Sequence, residues 1–364
     1  MQRFEHGGNV WEVALKFGKP VGEIIDFSAS LNPLGPPESV LALLRQNVEL
    51  VRFYPQPFGG ALKGVFALEH GVPKERVVVG NGAAELIHLL CRVIKPKRVL
   101  MPVPTFMEYE RAVSAVGGEV DPVLMYPDDS FALPVPDLIR RIGFSSYDLL
   151  VLCNPNNPTG MRTSHDALGG LIEAAHRAGT FVLLDESFAG FLPEESAGPG
   201  GSAKKDAEHL FVLRSLTKLY CLPGLRLGYG IGPKAVVAAM DAMRDPWSVN
   251  VLAQLAGVRC LEDAEYVRRS VALVSEERAS LLRSLAGMKV MKPFPSFANF
   301  ILCDVRGSGY PAPLIRDRLG RRGILIRDCS NFRGLDQYYI RVAVRLPGEN
   351  ERLVEELRHV LEEE

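Results

Sequence analysis

The sequence has 364 residues, of which 47% are hydrophobic, so it can bury a sizeable core in two domains or in one large domain. Its 42 Lys and Arg residues nearly balance its 43 Asp and Glu residues, which leaves a formal net charge of −1. This balance argues against nucleic acid or an anionic membrane as a bulk electrostatic partner. We therefore expect chemistry on a small molecule.

Cysteine usage and the N-terminus indicate the compartment. The six cysteines contain no C-x-x-C pair and the seven histidines no H-x-x-x-H pair, which excludes the common structural zinc spacings and favours reduced thiols. Residues 1–9 lack the apolar segment of a signal peptide, and no apolar run approaches the ~20 residues that span a bilayer. We expect a cytoplasmic protein that does not bind a membrane.

The first two thirds of the chain alternate short apolar runs with longer amphipathic stretches. Buried strands separated by helices are typical of a mainly parallel sheet covered on both faces, which is an α/β domain. Each run is followed by Gly, Asn, Asp, Ser or Pro, and such loops converge beyond the carboxyl ends of the strands. The predicted strands are residues 76–79, 98–101, 147–153, 180–184 and 210–213.

The pattern changes after about residue 245. Two long helical stretches, 249–261 and 264–285, are followed by shorter strand patterns and a final amphipathic helix at about 349–363. The sequence predicts a second, smaller α+β domain, with strands near 288–291, 300–303, 324–326 and 339–344. The Gly- and Pro-rich stretch 193–202 is expected to be a surface loop.

A candidate phosphate cradle lies at Gly80–Glu85, after a predicted strand and before a predicted helix at 86–93. Small residues there let a phosphate approach backbone N–H groups at the positive end of a helix. Glycine-rich turns of this kind are also common for steric reasons, so the pattern alone is weak.

Three further clusters follow strands. Asn154–Gly160 is a rigid loop that presents three asparagine side chains, although it could be an ordinary turn. Asp185 ends an apolar run, so its carboxylate needs a cationic partner unless it is merely a helix N-cap. Ser215, Lys218 and Arg226 supply a hydroxyl, an amine that can form a Schiff base, and a guanidinium suited to phosphate. One phosphate and one aldehyde would satisfy all three.

These motifs resemble those of the fold-type I pyridoxal-phosphate enzymes, because N-P-N-N-P-T-G, D-E-x-F and S-x-x-K followed by G-x-R-x-G occur at the expected separations. Within that group the chain is similar to the histidinol-phosphate aminotransferase branch and, more closely, to the threonine-phosphate decarboxylases of cobalamin biosynthesis. The closer resemblance is carried by His6–Asn9, Asp26–Ala29, Asn32–Gly35, Phe106 with Glu108 and Tyr109, Pro246–Asn250 and Leu325–Cys329.

The resemblance implies a fold and a division into domains. The fold is a large α/β domain with a mainly parallel sheet, plus a smaller α+β domain. Residues 1–35 would form an N-terminal arm that contributes to the small domain and the active site. Residues 36–245 would form the large cofactor-binding domain and residues 246–364 the small C-terminal domain.

The resemblance also implies pyridoxal 5′-phosphate as cofactor. Lys218 would bind it covalently and Asp185 would pair with its ring nitrogen; these are the two catalytic candidates. Asn157 would donate to the ring oxygen O3′, as the main donor because Phe188 stands where related enzymes often carry a tyrosine. Phe106 would stack on the ring. The phosphate would be held by Gly82, Ala83, Ala84, Ser215 and Arg226, and by Tyr54 of the partner subunit in a homodimer.

The implied substrate is a phosphorylated amino acid. Arg341 would bind its carboxylate, and the sequence leaves open whether Arg345 shares that face of the strand. Further substrate candidates are His6, Asn32, Asn157 and Arg327, although His6 could belong to a disordered terminus. The implied reaction is decarboxylation of O-phospho-L-threonine to (R)-1-amino-2-propanol phosphate. Histidinol-phosphate amino transfer with 2-oxoglutarate, a phosphoserine-preferring decarboxylase and a non-catalytic cofactor-binding protein are the alternatives.

Overall fold

The computed structural model describes residues 6–193 and 208–362. Its strands, in chain order, are β1 (Ile25–Asp26), β2 (Val77–Gly80), β3 (Arg98–Val103), β4 (Glu119–Leu124), β5 (Leu149–Cys153), β6 (Phe181–Asp185), β7 (Leu210–Ser215), β8 (Gly228–Ile231), β9 (Lys292–Pro293), β10 (Phe300–Asp304), β11 (Ile324–Leu325), β12 (Arg327–Asp328) and β13 (Tyr339–Ala343).

The helices cover both faces of the large sheet and one side of the small domain. They are α1 (Val10–Phe17), α2 (Glu38–Asn47), α3 (Gly60–His70), α4 (Ala83–Ile94), α5 (Glu108–Ser114), α6 (Val135–Phe144), α7 (His165–Arg177), α8 (Leu216–Leu219), α9 (Lys234–Ala242), α10 (Val251–Leu261), α11 (Ala264–Ala286), α12 (Ala312–Arg321) and α13 (Pro347–Glu362). Within the described residues, none of these helices is both long and apolar enough to cross a membrane.

Seven strands form the central sheet in the order β2-β8-β7-β6-β5-β3-β4. Strands β3 to β7 run parallel where they pair, whereas β8 is antiparallel to both of its neighbours. The predicted α/β fold with a mainly parallel sheet is confirmed, and each of the five strands predicted for it is present within a few residues. The apolar runs form strands because their side chains are buried on both faces.

Two strands of this sheet were not predicted from sequence. Strand β4 contains Asp121 and Pro122, and β8 reads Gly-Tyr-Gly-Ile, so neither forms an apolar β-branched run. Gly230 in β8 is needed for packing, because a Cβ at that position would approach the Phe211 ring to 2.1 Å. A strand whose glycines make room for an aromatic side chain has no run of apolar residues by which the sequence could reveal it.

The small domain is built on an antiparallel sheet in the order β12-β13-β10-β9. Strand β1 from the N-terminal arm pairs in parallel with β11, and Phe27 is buried in the small-domain core. The predicted strand at 288–291 is wrong: these residues form a turn, and β9 begins at Lys292. Met288 and Met291 lie in or beside this turn, and their side chains are buried. Two buried apolar residues so close together gave the sequence a strand-like pattern.

The structure bears differently on the domain boundary near residue 245 and on the predicted surface loop. Helix α10 was assigned to the small domain, yet its Ala253, Ala256 and Cys260 pack into the core of the large domain. Of the predicted surface loop at 193–202, all but Pro193 lies outside the described residues.

Candidate active site

A cavity of about 480 Å³ lies beyond the carboxyl ends of β5, β6 and β7, between the large sheet and the small domain. The N-terminal arm, the large domain and the small domain all contribute to its walls. The structure therefore brings together most of the residues expected from the sequence. Those that line the cavity are His6, Ala83, Ala84, Phe106, Asn157, Asp185, Ser215, Lys218, Arg226, Arg327 and Arg341.

Lys218 lies in the short helix α8 directly after β7, with its Nζ 5.9 Å from the centre of the Phe188 ring. Burial lowers the pKa of Lys218 to about 8, and the positive charges of Arg341 and Arg226 act in the same direction. An amine with such a pKa is neutral in roughly a tenth of the molecules at pH 7, far more often than an ordinary lysine, and the neutral form is the nucleophile.

Asp185 ends β6 and is 4% exposed. Its carboxylate accepts hydrogen bonds from the Tyr109 hydroxyl at 2.7 Å and from the Ser187 backbone N–H at 2.8 Å. Burial raises the pKa of Asp185, because these two neutral donors only partly replace water. The carboxylate is therefore poised to accept a protonated ring nitrogen as its partner.

A cradle for phosphate is formed where α4 begins. Gly82 directly precedes the helix and has a φ of 84°. Because glycine has no side chain, it cannot cap the first backbone N–H groups of α4. A Cβ on Gly82 would lie 2.6 Å from Arg226 Nη2, and a Cβ on Gly228 would lie 2.7 Å from Ala83 N. The Ser215 and Thr217 hydroxyls are 2.7 Å apart at the cavity wall. Glycines thus keep space for an anion among helix N–H groups, hydroxyls and a guanidinium.

Arg341 joins the small domain to the large one. Its Nη1 donates a hydrogen bond to Asn157 Oδ1, and its Nη2 donates to the Ser28 carbonyl at 3.0 Å. Its Nε is buried without a hydrogen-bond partner among the described residues. Burial lowers the pKa of Arg341 to about 10, which still leaves the guanidinium charged at neutral pH. A buried, charged and incompletely satisfied guanidinium is a strong site for a carboxylate.

Arg327 lies beside Arg341. The two residues are paired in register on the neighbouring strands β12 and β13, and both side chains line the cavity. Arg327 is 4% exposed, and its Nη2 donates to Asn331 Oδ1 at 2.7 Å. Two buried guanidinium groups next to each other repel, so the arrangement favours a ligand with two anionic groups. Arg345 lies past the end of β13 and instead pairs with Glu349 at 2.8 Å.

Two expected site residues lie away from the cavity. Asn32 was expected to contact substrate, but its side-chain N–H groups donate to the Leu219 carbonyl and to Ser270 Oγ, both at 2.7 Å. Asn32 is 1% exposed, so this amide fixes the chain just after Lys218 instead. Tyr54 is 82% exposed and packs on Trp247, and its expected role at the site of a second subunit stays a prediction.

Sequence reasoning missed several residues of the site. Tyr109 and Glu108 were noted only as part of a resemblance, although Tyr109 holds Asp185 and Glu108 lines the cavity beside His6. Thr217 and Ser28 also lie at its wall. A signal for Tyr109 was available, since it lies at the start of α5, the first helix after β3, and therefore near the same sheet edge as Asp185.

Comparison with known proteins agrees with this geometry. The family model described as aminotransferase class I and II matches residues 23–357. This chain belongs to that family. Pyridoxal 5′-phosphate, the cofactor of the family, is thereby confirmed as the cofactor expected from the sequence, and the lysine, carboxylate and anion cradle described above fit it.

Individual relatives narrow the comparison. The chain is 38% identical over 357 residues to the threonine-phosphate decarboxylase of Salmonella typhimurium, covering 98% of this chain and 96% of that protein. It is 34% identical over 357 residues to histidinol-phosphate aminotransferase 2 of Carboxydothermus hydrogenoformans, covering 95% and 96%. The solved structure of L-threonine-O-3-phosphate decarboxylase from Porphyromonas gingivalis is 27% identical, with a TM-score of 0.82 over 92% of this chain and 99% of that one.

Proposed function

We propose that this enzyme decarboxylates O-phospho-L-threonine to (R)-1-amino-2-propanol phosphate and CO2, as a step of cobalamin biosynthesis. The observation that carries the proposal is the pairing of Arg327 and Arg341 at one wall of the cavity that also contains Lys218. Two adjacent guanidinium groups match a substrate that carries both a carboxylate and a phosphate. The 38% identity to the Salmonella decarboxylase supports the same assignment.

The site geometry supports an assignment of the residues that would hold the cofactor. Lys218 would bind it covalently, Asp185 would pair with its ring nitrogen, and Asn157 would donate to its O3′. The cradle of Gly82, Ala83, Ala84, Ser215 and Arg226 would bind its phosphate, with Phe106 against the ring. When bound, pyridoxal phosphate supplies an electron sink for the bond that breaks at the substrate Cα.

The two arginines would choose which bond breaks. Arg341 holds the substrate carboxylate and Arg327 helps to hold the phosphate, so the two ends of the substrate are fixed separately. With both ends held, Arg341 and Arg327 would orient the substrate so that the bond from Cα to the carboxylate is the one that breaks. Loss of CO2 follows from substrate orientation rather than from an additional acid or base.

Lys218 has the properties needed to handle the remaining proton. With its pKa lowered to about 8, its Nζ can carry a proton and also release it at neutral pH. After CO2 leaves, Cα must be protonated, and Lys218 or a water molecule would deliver that proton. If the carboxylate instead lay near the ring plane, the same lysine would remove the Cα proton and the site would transfer the amino group.

Histidinol-phosphate aminotransferase is the second candidate. The 34% identity to the Carboxydothermus enzyme favours it, and both substrates carry a phosphate that Arg327 could bind. A decarboxylase that prefers phosphoserine is a closer alternative. Phosphoserine lacks one methyl group, and one methyl group typically changes discrimination by only about 1–3 kcal/mol.

An amino-acid panel tests the proposal directly. The purified enzyme loaded with pyridoxal phosphate is given O-phospho-L-threonine, O-phospho-L-serine, histidinol phosphate and L-threonine. CO2 release and amino transfer to 2-oxoglutarate are measured separately. We expect the highest kcat/KM for CO2 release from O-phospho-L-threonine. Efficient amino transfer from histidinol phosphate without CO2 release from phosphothreonine would reject the decarboxylase assignment.

Two further parts of the proposal concern assembly and location. A homodimer is supported by apolar side chains exposed around Tyr54, among them Val51 at 65% and Phe53 at 54%. A second copy of the chain would cover them and bring Tyr54 to the phosphate site of its partner. A cytosolic location is supported by the six cysteines, all of which are free thiols.

A further inference from the structure

The N-terminal strap, which we define as residues His6–Asn9, crosses the edge of the active-site cavity. Gly8 N donates to Ser28 Oγ at 2.7 Å, and a Cβ on Gly7 would approach the Ser28 carbonyl oxygen to 2.1 Å. The same carbonyl accepts a hydrogen bond from Arg341 Nη2. The glycines therefore let the strap lie directly on the segment that helps to hold Arg341.

The Glu108 carboxylate contacts His6, the first described residue of the strap. Glu108 Oε1 lies 3.0 Å from His6 Nε2, and Oε2 lies 3.2 Å from His88 Nε2. Arg111 Nη1 donates to Oε1 at 3.2 Å. The Glu108 side chain, 9% exposed, thus joins the strap to α4 and α5.

The charge of Glu108 is well compensated. The hydrogen bond from His6 lowers the pKa of Glu108 to about 2 against the effect of burial, and His88 and Arg111 add to the lowering. The carboxylate is therefore ionised at neutral pH and surrounded by donors. None of the cofactor-binding roles proposed above uses this buried charge.

The position of His6 suggests what this attachment achieves. His6, Gly7, Ser28 and Arg327 line both the active-site cavity and an adjoining cavity of about 670 Å³. His6 and Arg327 therefore flank the opening between the two cavities. Because His6 Nε2 contacts Glu108, the other ring nitrogen, Nδ1, is left to contact a ligand in the opening.

We propose that Glu108 is a positioning residue for the substrate phosphate: it holds the His6 ring at the cavity opening, where His6 and Arg327 bind the phosphate group together. Glu108 acts through His6 and does not itself bind the phosphate. The inference rests on the proposed function, since it concerns the phosphate end of that substrate.

The kinetic test compares Glu108→Gln with a matched control, Glu110→Gln. Glu110 lies on the same helix and pairs with Arg333 at 2.7 Å, away from His6. In Glu108→Gln we expect KM for O-phospho-L-threonine to rise about five- to tenfold, with kcat within about twofold. The activity with L-threonine, which lacks the phosphate, should change much less. Equal losses for both substrates would overturn the proposal.

A double-mutant cycle shows whether Glu108 acts through His6. His6→Ala should raise KM for phosphothreonine by a similar factor, and Glu108→Gln should add little in the His6→Ala background. Additive effects would contradict positioning through His6. Thermal unfolding shows whether Glu108→Gln folds. If it does not, His6→Ala alone must still raise KM for phosphothreonine, and an unchanged KM in that variant overturns the proposal.

A measurement without substrate separates this inference from the proposed function. Hydrogen exchange of the strap amides, followed by mass spectrometry, should be faster in Glu108→Gln than in wild type and unchanged in Glu110→Gln. Unchanged exchange in Glu108→Gln overturns the attachment whatever the enzyme's reaction is. If wild type releases no CO2, the proposed function is rejected instead. The exchange result would still show whether Glu108 holds the strap in place.

Discussion

Asn157 and Arg341 are hydrogen-bonded to each other across the two domains, with Arg341 Nη1 donating to Asn157 Oδ1. The sequence assigned Asn157 chiefly to the cofactor and Arg341 to the substrate carboxylate. Because the amide oxygen accepts from Arg341, the amide N–H2 group stays available to donate to the cofactor. If the two residues have these roles, the Asn157 side chain links the position of the cofactor to the position of the substrate.

This link leads to a prediction for Asn157→Ala. Removing the amide should weaken cofactor binding and also raise KM for the amino acid, because Arg341 loses the acceptor that orients it. Each effect should be about tenfold, the usual consequence of losing one charge-assisted or neutral hydrogen bond in a buried site. Cofactor affinity is measured by absorbance titration, and KM at saturating cofactor. A loss confined to the cofactor would show that the two functions are independent.

The hydroxyl of Tyr109 should matter for cofactor retention. Tyr109→Phe removes the 2.7 Å hydrogen bond to Asp185, which burial already makes harder to ionise. We expect about tenfold weaker binding of pyridoxal phosphate with little change in thermal stability. Tyr147→Phe is the matched control, because its hydroxyl donates to Asp121, outside the site. Equal affinities of the two variants would contradict a role for Tyr109 in supporting Asp185.

These residues show how far the sequence could predict the site. Lys218, Asp185 and the cradle were predictable because each follows an apolar strand, and parallel strands end at the same edge of a sheet. The partners that tune them come from distant segments. Tyr109 is 76 residues from Asp185, and Glu108 is 102 residues from His6. Such pairings depend on how the helices pack, which no local pattern records.

Asn32 illustrates the opposite error. Its segment was identified correctly as part of the site region, since its backbone N–H donates to the Lys218 carbonyl at 3.1 Å. Its side chain, however, points into the protein, where it donates hydrogen bonds to the Leu219 carbonyl and to Ser270 Oγ. Sequence similarity places a segment beside a cavity, but the direction of a polar side chain is decided by the buried groups that need partners.

Replacing Lys218 with methionine should stabilise the cofactor-free protein at pH 7. The pKa of Lys218 is lowered from 10.5 to about 8, so folding is opposed while the amine is charged. This cost is fully present below about pH 8 and is lost as the pH rises towards 10.5. The difference in free energy of unfolding between variant and wild type, from urea titrations, should shrink over that range. A difference that does not change with pH would contradict the assigned pKa.

A complementation experiment tests the shared site. Lys218→Ala and Tyr54→Phe are each expected to be impaired as homodimers. A mixed dimer has one site with Lys218 from one chain and Tyr54 of the partner subunit, both native. Mixing after mild dissociation should therefore restore activity at about a quarter of the sites if the chains mix randomly. If mixed dimers form, as shown with two affinity tags, and activity does not rise, Tyr54 does not serve the neighbouring site.

The last prediction separates decarboxylation from amino transfer through Arg327. Arg327→Ala removes one of the paired guanidinium groups and with it the proposed charge-assisted contact to the substrate phosphate, a kind of contact worth about 1.5–3 kcal/mol. We expect kcat/KM for decarboxylation of phosphothreonine to fall about 10- to 100-fold. The ratio of kcat/KM for phosphothreonine to kcat/KM for L-threonine should fall by a similar factor. Arg333→Ala, at an arginine that pairs with Glu110 on the surface, is the control.

Arg327→Ala should also change the products. With the phosphate end released, the substrate would be oriented less firmly, so the bond from Cα to hydrogen would break instead of the bond to the carboxylate in a fraction of turnovers. Slow transfer of the substrate amino group to added 2-oxoglutarate should then accompany CO2 release, measured as the glutamate formed. The substrate itself would leave as a 2-oxo acid. If Arg327→Ala loses activity equally with phosphothreonine and with L-threonine and forms no oxo acid, Arg327 does not hold the phosphate. The pairing of the two arginines would then serve the carboxylate alone.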